Sequence, residues 1–300
     1  VKKRPPKKWN TRKALPSDLP NLSSFFKKQF QGSQRYGSAD IFAWKIFENT
    51  VQNGFVNLIE DGNVIVSTTS ITPKRLVLNG QNITAAEIGD TYTAEEYQRK
   101  GMFSILVNTS KELAQKDNIE FIYGTPNNQS LPAYIKNTGF SNMENLDVRS
   151  LGILFSAKSK FRRLVGYYLA ELIDVIYGTF IRIYIFSRQI DMKRRQEYSL
   201  EFIETLPEDW EVFWSQAVLN YDFIFNRCAK SQEWRYFRNP EKYSFLTIRD
   251  NDQLIGYCVF RNIPEGDKSE KIIIADYLFL KGYEMGLALC LKEIFKKAFL

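Results

Sequence analysis

The sequence repeats itself at a constant spacing of 190 residues, and this repeat constrains the fold more than any other feature. Eight positions match like for like in one register: Trp44 with Trp234, Phe47 with Phe237, Asn49 with Asn239, Phe55 with Phe245, Leu58 with Ile248, Asp61 with Asn251, Val64 with Leu254, and Ile65 with Ile255. Both blocks read as an aromatic helix end, a strand, a polar turn and a second strand. We therefore expect one fold to occur twice in the chain.

Turn residues and apolar periodicity predict the remaining elements of both blocks. The first block continues through an Asn79-Gly80 hairpin turn, a strand over 81–93, a helix over 102–114, a strand over 120–124 and a helix over 131–137 that ends at Gly139. The second block has predicted strands over 243–248, 253–261 and 271–280 and a helix from 283. The second block shows no counterpart of the last strand and helix of the first.

Composition limits the chemistry that the chain can perform. The 300 residues are 44% hydrophobic and 25% charged, which indicates a globular protein of about two domains. Histidine is absent, and this excludes Ser-His-Asp and Cys-His catalysis, HExxH metalloproteases and imidazole-ligated metals. The three cysteines, at 228, 258 and 290, are not at metal-ligand spacing. We expect no metal and no disulfide framework, and a reducing, cytoplasmic location.

The net charge of +7 is located at the N-terminus. Residues 1–30 hold nine Lys or Arg against the single acid Asp18, whereas the other 270 residues hold 32 basic and 33 acidic side chains. We therefore expect no nucleic-acid partner. Residues 1–20 are predicted to form a basic arm, which is either a solvated tail or an anchor to an acidic membrane or partner.

One apolar segment, residues 164–186, approaches the about 20 residues that span a bilayer. It contains Glu171, Asp174 and Arg182, and basic residues flank it on both sides within 158–195. Three interpretations stay open: buried helices that connect two domains, an in-plane helix at an anionic membrane surface, and a spanning helix. The internal charges favour the connector, and peripheral membrane contact through 158–195 is the second hypothesis.

The segment 88–103 carries the clearest sign of chemistry. A predicted strand leads into a short polar loop, Gln98-Arg99-Lys100-Gly101, and this loop opens a helix. Amides at a helix N-terminus converge on one point, the helix dipole favours negative charge there, and a glycine allows close approach of the backbone. The loop lacks the Gly-Lys-Ser/Thr of a P-loop and the three glycines of a dinucleotide fingerprint. It therefore predicts an anion site but disfavours nucleotide hydrolysis and NAD binding.

In its context this segment resembles the GNAT superfamily of acyl-CoA N-acyltransferases. The pyrophosphate loop of that superfamily, Arg/Gln-x-x-Gly-x-Gly/Ala, matches at Gln98 and Gly101, with Phe103 where a small residue is usual. Phenylalanine occurs there in a branch that carries Gly-Asp-Thr on the preceding strand, as residues 89–91 do here.

Two later motifs extend the resemblance over residues 20–150: the asparagines Asn127 and Asn128, and the closing Gly-Phe pair at 139–140. The resemblance implies a mixed α/β (α+β) fold, a central, mostly antiparallel twisted sheet flanked by helices, duplicated in tandem. The expected domains are the basic arm (1–20), an acyltransferase domain (21–150), a helical connector (151–205) and a second, partial copy (206–300). That copy has only Lys281-Gly282 before its helix, so we do not expect it to bind the cofactor.

The resemblance also implies acetyl-CoA or another acyl-CoA as co-substrate. Its pyrophosphate would lie on the amides of Arg99, Lys100, Gly101, Met102 and Phe103. The pantetheine would pair like an extra strand with the sheet edge at Tyr92 and Thr93. Gln98, Asn127 and Asn128 complete the implied cofactor site. The acceptor would be a small-molecule amine, and related sequences suggest an amino sugar.

The candidate catalytic residues are Glu87, Asp90 and Tyr134. Strand alternation places Glu87 and Thr91 on one face and Asp90 on the other, so that only one carboxylate can be the base. Glu87 is the preferred base because its parity matches that of Thr91, and Asp90 is either a structural carboxylate or the alternative base. The general acid of the superfamily is commonly a Tyr at the position of Ile135 here. Tyr134, one residue earlier, is therefore a candidate acid, and core packing is its alternative role.

Three functions stay open at this stage. The first is an acyl-CoA N-acyltransferase in which the second copy shapes the acceptor pocket. The second is a non-catalytic or scaffold protein whose loop binds coenzyme A or nothing. The third is an aminoacyl transferase of the double-GNAT type, and the presence of the loop over 98–101 argues against it.

Overall fold

The computed structural model of the chain describes residues 9–30, 38–143, 165–187, 198–265 and 269–298. The chain divides into two compact units. The first comprises Val1–Met143 and Val218–Glu241, and the second comprises Glu144–Ala217 and Lys242–Leu300. The structure thus divides the predicted second domain, because residues 218–241 fold with the first unit.

The elements follow one another in the order that the two blocks predict. The strands are β1 (Thr11–Lys13), β2 (Phe55–Asp61), β3 (Val64–Leu78), β4 (Gln81–Thr93), β5 (Phe121–Tyr123), β6 (Tyr198–Ile203), β7 (Phe223–Phe225), β8 (Ser244–Asp250), β9 (Gln253–Glu265) and β10 (Ser269–Phe279). The helices are α1 (Leu19–Gln29), α2 (Ala39–Phe42), α3 (Met102–Lys116), α4 (Leu131–Thr138), α5 (Tyr167–Ser187), α6 (Trp210–Ala217), α7 (Ala229–Gln232) and α8 (Gly286–Ala298). A π-helical turn continues α2 over Ala43–Phe47 and α7 over Glu233–Phe237.

The first unit is built on a mixed, mostly antiparallel sheet. The strand order is β1-β2-β3-β4-β5, and β7 pairs with the far end of β3. All neighbours are antiparallel except β4 and β5, which are parallel. The turn between β3 and β4 has positive φ at Asn79 (49°) and Gly80 (77°), as a two-residue hairpin requires. The predicted fold class is confirmed.

Two apolar clusters cover the two faces of this sheet. On one face Leu22 and Phe26 of α1 pack with Phe42 and Ile46 against Leu58 of β2. The other face is covered by α3 and α4, whose Val107, Ala114 and Tyr134 pack with Ile71 and Ile88. On a sheet whose long strands are buried on both faces, a polar side chain is costly unless it forms hydrogen bonds.

The described start of the chain packs on the first unit and is not a solvated arm. Residues Thr11–Lys13 form the edge strand of the first sheet and pair with β2. The Arg12 guanidinium donates to Asp18 (2.7 Å) and to Glu60 (2.6 Å). Its charge and hydrogen bonds hold the pKa of Asp18 below its usual range, although burial opposes the shift. Within the predicted arm, residues 1–8 lie outside the described part of the chain.

Residues 218–241 contact the rest of the first unit through backbone hydrogen bonds and aromatic stacking. β7 pairs with Leu76–Leu78, and the amide of Asn226 donates to the carbonyl of Arg75 (2.9 Å). Trp234 stacks on Trp44 with ring centroids 4.7 Å apart. Each of these two indoles donates to the backbone carbonyl of the other, at 2.8 and 3.2 Å. The contact is therefore reciprocal between positions that the sequence repeat pairs.

The second unit contains a four-stranded antiparallel sheet in the order β10-β9-β8-β6. Trp210 and Phe213 of α6 pack on Tyr257 of β9. From α7 to α8 the elements occur in the same order as from α2 to α3: a π-helical turn, a hairpin, a long strand and a helix. Tandem duplication therefore remains the simplest hypothesis for the order of elements.

Helix α5 covers most of the predicted apolar segment 164–186. Six of its described apolar side chains are exposed: Tyr167, Tyr168, Leu169, Leu172, Val175 and Ile176. Across the described ranges, no helix is both long enough and apolar enough to cross a membrane. The spanning hypothesis is therefore not supported, and peripheral membrane contact through 158–195 stays a prediction, with 158–164 and 188–195 outside the described residues.

Candidate active site

Strand β4 contains a β-bulge at Asp90. Its pairing with β3 joins Gly89 to Ser70 and then Tyr92 to Thr68, so that two residues of β4 face one residue of β3. Asp90 has a φ of 47°, in the left-handed region that Asp tolerates better than most residues. The bulge reverses the alternation of side chains between Gly89 and Thr91.

This bulge overturns the predicted faces of the strand. Unbroken alternation would separate Glu87 from Asp90, but the Asp90 carboxylate accepts hydrogen bonds from Lys45 Nζ and Ser70 Oγ, both at 2.6 Å. Those two atoms also lie 3.8 Å from a Cβ placed on Gly89, which shares its face with Glu87. Both carboxylates therefore lie on the same face of the sheet. The prediction that they cannot share a pocket is wrong.

Beyond the bulge, the side chains of β4 also lie on the faces opposite to those that unbroken alternation predicts. Thr91, which was expected beside Glu87, instead meets the phenol of Tyr134 on the α4 side, with 2.8 Å between the two oxygens. Tyr92 turns to the α1 side and packs edge-on against Phe25 and Phe30. The parity argument that favoured Glu87 as the base therefore has no structural basis.

The side chains on the face toward α2 form a polar cluster of Lys45, Ser70, Lys74, Glu87 and Asp90. Lys45 pairs with Asp90 (2.6 Å) and Lys74 pairs with Glu87 (2.5 Å). The four charged side chains are 18–28% exposed, so the pairs are partly screened but not freely solvated. Sequence reasoning missed both lysines because their partners are distant in the chain. A lysine within a long apolar strand, as at Lys74, is the signal that could have identified one of them.

The charges of the cluster perturb one another. Burial lowers the pKa of Lys74, and the charges of Arg235 and Lys45 act in the same direction, although Glu87 opposes them. Burial alone would raise the pKa of Glu87, but the charge and hydrogen bond of Lys74 and the charge of Lys45 outweigh it and the pKa falls. Glu87 is therefore ionised at neutral pH and is a weak base.

Two neutral side chains complete this face. Thr72 lies between Ser70 and Lys74 on β3 and pairs in register with Glu87. Its hydroxyl is buried and has no hydrogen-bond partner among the described residues. Tyr123 of β5 lies beneath Lys74, whose Nζ is 5.7 Å from the ring centroid. Burial raises the pKa of Tyr123, so its hydroxyl keeps its proton and remains a donor.

Strands β4 and β5 separate beside the polar cluster. Their parallel pairing covers only Ala85–Glu87 with Phe121–Tyr123, while β4 continues to Thr93. Within 38–143, which is described without a break, the β5 side of β4 has no strand partner after Glu87. An extended ligand with amide groups can bind such an edge by β-augmentation. Tyr92 and Thr93, two predicted cofactor residues, lie on this separated part of β4.

The loop before α3 has the backbone of an anion site. Arg99 (φ 61°) and Gly101 (φ 82°) both have positive φ, and Gly101 caps α3. The first hydrogen bond of the helix runs from the amide of Ile105 to the carbonyl of Gly101 (3.2 Å). The amides of residues 102–104 thus precede the first helical hydrogen bond and can serve a ligand. A Cβ on Gly101 would meet nothing within 4 Å, so the loop is open on this side.

Side chains around this loop maintain its shape. Gln98 donates to the carbonyl of Thr93 (3.1 Å), and Lys100 donates to the carbonyl of Glu96 (2.7 Å). Met102 is buried against Ile59, and Phe103 packs on Tyr134 with ring centroids 4.9 Å apart. A large residue at 103 therefore fits because its side chain faces the core. Met102 and Phe103 can thus offer a phosphate their amides but not their side chains.

Tyr134 is placed at the separated strands. Its hydroxyl is 2.8 Å from Thr91 Oγ1, and its ring lies against Phe103 and Phe140. Burial raises the pKa of Tyr134, partly opposed by the hydrogen bond with Thr91. The structure thus combines core packing with a hydroxyl that reaches β4.

The two predicted cofactor asparagines differ. The Asn127 side chain accepts hydrogen bonds from the amides of Gln129 (3.1 Å) and Ser130 (2.9 Å), which organises the start of α4. Asn128 is exposed and lies next to this turn. Among the described residues, no cluster of three or more Cys, Asp or Glu side chains could hold a metal ion.

Comparison with known proteins agrees with this geometry. Residues 10–143 match the family described as the acetyltransferase (GNAT) domain. A search of curated proteins found no match to the chain.

Solved structures resemble the chain at low sequence identity. A probable N-acyltransferase of unknown function from Enterococcus faecalis V583 has a TM-score of 0.57 and 12% identity, over 96% of this chain and 63% of that one. A GCN5-related N-acetyltransferase from Anabaena variabilis ATCC 29413 has a TM-score of 0.53 and 15% identity, over 91% of this chain and 59% of that one. These likenesses concern the fold, and the chain spans less than two thirds of either structure.

Proposed function

We propose, from the premise that residues 10–143 belong to the GNAT acetyltransferase family, that the protein transfers an acyl group from an acyl-CoA to a primary amine. The observation that carries the proposal is the pairing of two features on one strand. β4 separates from β5 after Glu87, and its loop then presents the amides before α3. The first feature suits the amides of pantetheine and the second suits a pyrophosphate.

The residues present fit coenzyme A in both chemistry and access. Positive φ at Arg99 and Gly101 turns successive amides toward one point, and Arg99 and Lys100 add positive charge. Acyl-CoA supplies a thioester that an amine can attack. A thioester held between β4 and β5 would reach backbone amides next to the Asp90 bulge, which could stabilise the developing oxyanion.

The polar cluster would receive the acceptor on the face toward α2. Of its two carboxylates, we assign the proton-accepting role to Asp90, because it lies on the separated part of β4. Glu87 still pairs in register with Tyr123, and its lowered pKa makes it a weak base. Asp90 would accept a proton from the ammonium of the acceptor, and the neutral amine so formed would attack the thioester carbonyl to form the C–N bond. Tyr134, which keeps its proton, would donate to the departing thiolate as the C–S bond breaks.

Calorimetric titration with acetyl-CoA tests the cofactor site. Gly101→Asp adds bulk and negative charge where the phosphates would approach, so we expect acetyl-CoA affinity to fall by well over tenfold. Gly80→Asp is the matched control, because Gly80 also has positive φ (77°) and open space around a Cβ but lies in the β3–β4 turn. Unchanged affinity in Gly101→Asp, or an equal loss in Gly80→Asp, would contradict the placement.

A further inference from the structure

We infer that helix α5 binds the surface of an anionic lipid membrane, with its axis in the plane of the interface and its exposed apolar side chains among the lipid headgroups. The inference concerns a part of the chain that the acyltransferase site does not use, and it is independent of the proposed function. It commits to one occupant of this helix face, a bilayer that contains anionic lipids.

Five apolar side chains form one stripe along α5. At about 100° per residue, Tyr168, Leu169, Leu172, Val175 and Ile176 fall within roughly 120° of the helix circumference. Each of the five, together called the apolar stripe, is 56–87% exposed in the folded chain. Single exposed apolar residues are ordinary, but a contiguous row along about two helical turns marks an interaction surface.

The other sides of the described helix are less exposed than the stripe. Glu171, Ile173 and Tyr177 lie outside the arc of the apolar stripe, and each of them is half-buried. The pattern of exposure therefore follows the helical period. A helix that presents one apolar face to the outside can lie along a membrane surface with that face toward the lipid.

Thr179 extends the stripe by about one turn without adding an unpaired hydroxyl. It is exposed and follows Val175 by four positions, on the same side of the helix. Its Oγ1 donates to the carbonyl of Val175 (2.7 Å). Because this donor is already bonded within the helix, it needs no water when the face enters an apolar environment. From Tyr168 to Thr179 the face is about 16 Å long.

Two tyrosines lie at the start of the helix. The rings of Tyr167 and Tyr168 meet edge to face, with centroids 5.7 Å apart, and both side chains are exposed. Tyrosine is enriched at the boundary between lipid and water, because its ring is apolar and its hydroxyl is polar. This end of α5 therefore suits the headgroup region of a bilayer.

The charges that flank the helix in the sequence favour an anionic membrane. Residues 158–163 include four Lys or Arg and no acid, which gives +4, and residues 188–195 include four Lys or Arg and one acid, which gives +3. Lys and Arg next to an interfacial helix are attracted to anionic lipids. Two copies that met stripe to stripe would bring like charges together in either helix orientation, because both flanks are basic. Charge therefore favours a lipid surface over a second copy.

Sedimentation with lipid vesicles tests the inference. The full chain is mixed with sucrose-loaded vesicles of phosphatidylcholine alone, or of phosphatidylcholine with about 30% phosphatidylglycerol. We expect binding to the anionic vesicles to be stronger by about tenfold or more, and to weaken at about 0.5 M salt, where charges are screened. Absence of binding to either vesicle, or equal binding to both, would overturn the inference.

A matched pair of valines locates the effect. Val175 and Val212 both lie on helices and are 64% and 58% exposed, but only Val175 belongs to the apolar stripe. We expect Val175→Glu to weaken binding to the anionic vesicles by about tenfold, since it removes apolar area and adds a repelled charge. Val212→Glu should bind like the unmodified chain. Full binding by Val175→Glu, or an equal loss in Val212→Glu, would show that the stripe is not the membrane contact.

Val175→Phe provides a gain of function on the same face. It enlarges the apolar stripe and should raise vesicle binding severalfold, so the test stays valid if Val175→Glu is unstable in thermal unfolding. Sedimentation velocity without lipid should give the same association state for the unmodified chain and for Val175→Glu. A dimer of the unmodified chain that Val175→Glu converts to a monomer would assign the stripe to a second copy and overturn the inference.

Failure of the proposed function is a separate outcome. It would appear as absence of acetyl-CoA binding in the unmodified chain, whatever the vesicle result. Val175→Glu should bind acetyl-CoA with unchanged affinity, because Val175 lies outside the acyltransferase domain at 10–143.

Discussion

At the scale of residues, the backbone of Asp90 determines which side chains of β4 face the polar cluster. With its φ of 47°, Asp90 places its carboxylate on the same face as Glu87 and sends Thr91 toward Tyr134. The same residue receives Lys45 and Ser70, which hold the carboxylate in place. A bulge in the middle of a long strand is tolerated when its side chain forms such contacts.

Asp90→Asn tests the assigned base. Asn also tolerates positive φ and can accept the same hydrogen bonds, so the bulge should persist. We expect turnover at pH 7 to fall by about 10²–10⁴-fold, as for loss of a general base. Turnover should recover partly as the pH approaches the amine pKa of about 10, where the acceptor loses its proton unaided. Initial rates against pH provide the measurement, and acetyl-CoA affinity should remain unchanged.

Glu87→Gln provides the comparison for that experiment. Because Glu87 pairs with Lys74, its substitution should raise the acceptor KM more than it lowers kcat. If Glu87→Gln abolished turnover at pH 7 while Asp90→Asn retained it, the role of base would return to Glu87.

At the scale of elements, the two π-helical turns are the clearest product of the sequence repeat. Trp44 and Trp234 stack with an interplanar angle of 18° and exchange hydrogen bonds through their indoles. The asparagine that follows each turn repeats the same contacts: Asn49 Oδ1 accepts from the amide of Val51 and Asn239 Oδ1 from that of Glu241, both at 2.9 Å. Reciprocal contacts of this kind are the signature of a local two-fold relation.

A double-mutant cycle on the two tryptophans tests this reciprocity. Stacked aromatic pairs contribute about 0.5–1.5 kcal/mol beyond burial, and each indole hydrogen bond adds about 1 kcal/mol. We therefore expect Trp44→Phe and Trp234→Phe each to lower the free energy of unfolding, with a coupling energy of about 1 kcal/mol between them. Urea unfolding followed by circular dichroism measures both values. Strict additivity of the two substitutions would show that the rings do not act as a pair.

Most elements were predictable because their signals are local. The Asn79-Gly80 turn, the strand over 81–93 and the helix ending at Gly139 follow from turn chemistry and periodicity, and the structure confirms them. The bulge at Asp90 was not predictable, since nothing in a Gly-Asp-Thr sequence requires a positive φ there. One extra residue in a strand reverses every later face, and this caused the wrong parity for Asp90 and Thr91.

At the scale of the whole molecule, α3 and α8, the helices that follow the long strands β4 and β10, differ in whether their first amides are available to a ligand. In the second unit the first three amides of α8 already donate to the carbonyls of Tyr283, Glu284 and Met285, at 2.8–3.2 Å. The Glu284 carboxylate also accepts from the amide of Gly282 (3.0 Å), and that hydrogen bond lowers the pKa of Glu284. The carboxylate of Glu284 thus accepts a backbone hydrogen bond that an anionic ligand would otherwise receive.

We therefore expect one acetyl-CoA per chain. The stoichiometry from calorimetry should be close to one in the unmodified protein, and Gly101→Asp should remove the whole binding signal rather than half of it. Gly282→Asp should leave both stoichiometry and affinity unchanged, because its amide already serves Glu284. A stoichiometry of two would show that the second unit also binds the co-substrate.

The sequence by itself determined the order of the elements, the loop over 98–101 that opens a helix, and the absence of histidine chemistry, because each depends on neighbouring residues or on composition. Only the tertiary structure decided that Lys45 and Lys74 pair with Asp90 and Glu87, and that residues 218–241 fold with the first unit. These contacts join residues far apart in the chain, and they depend on the register of β3, β4 and β7 and on one backbone angle. Sequence periodicity reports which face of an element is apolar, but it carries no information on which distant side chain lies opposite.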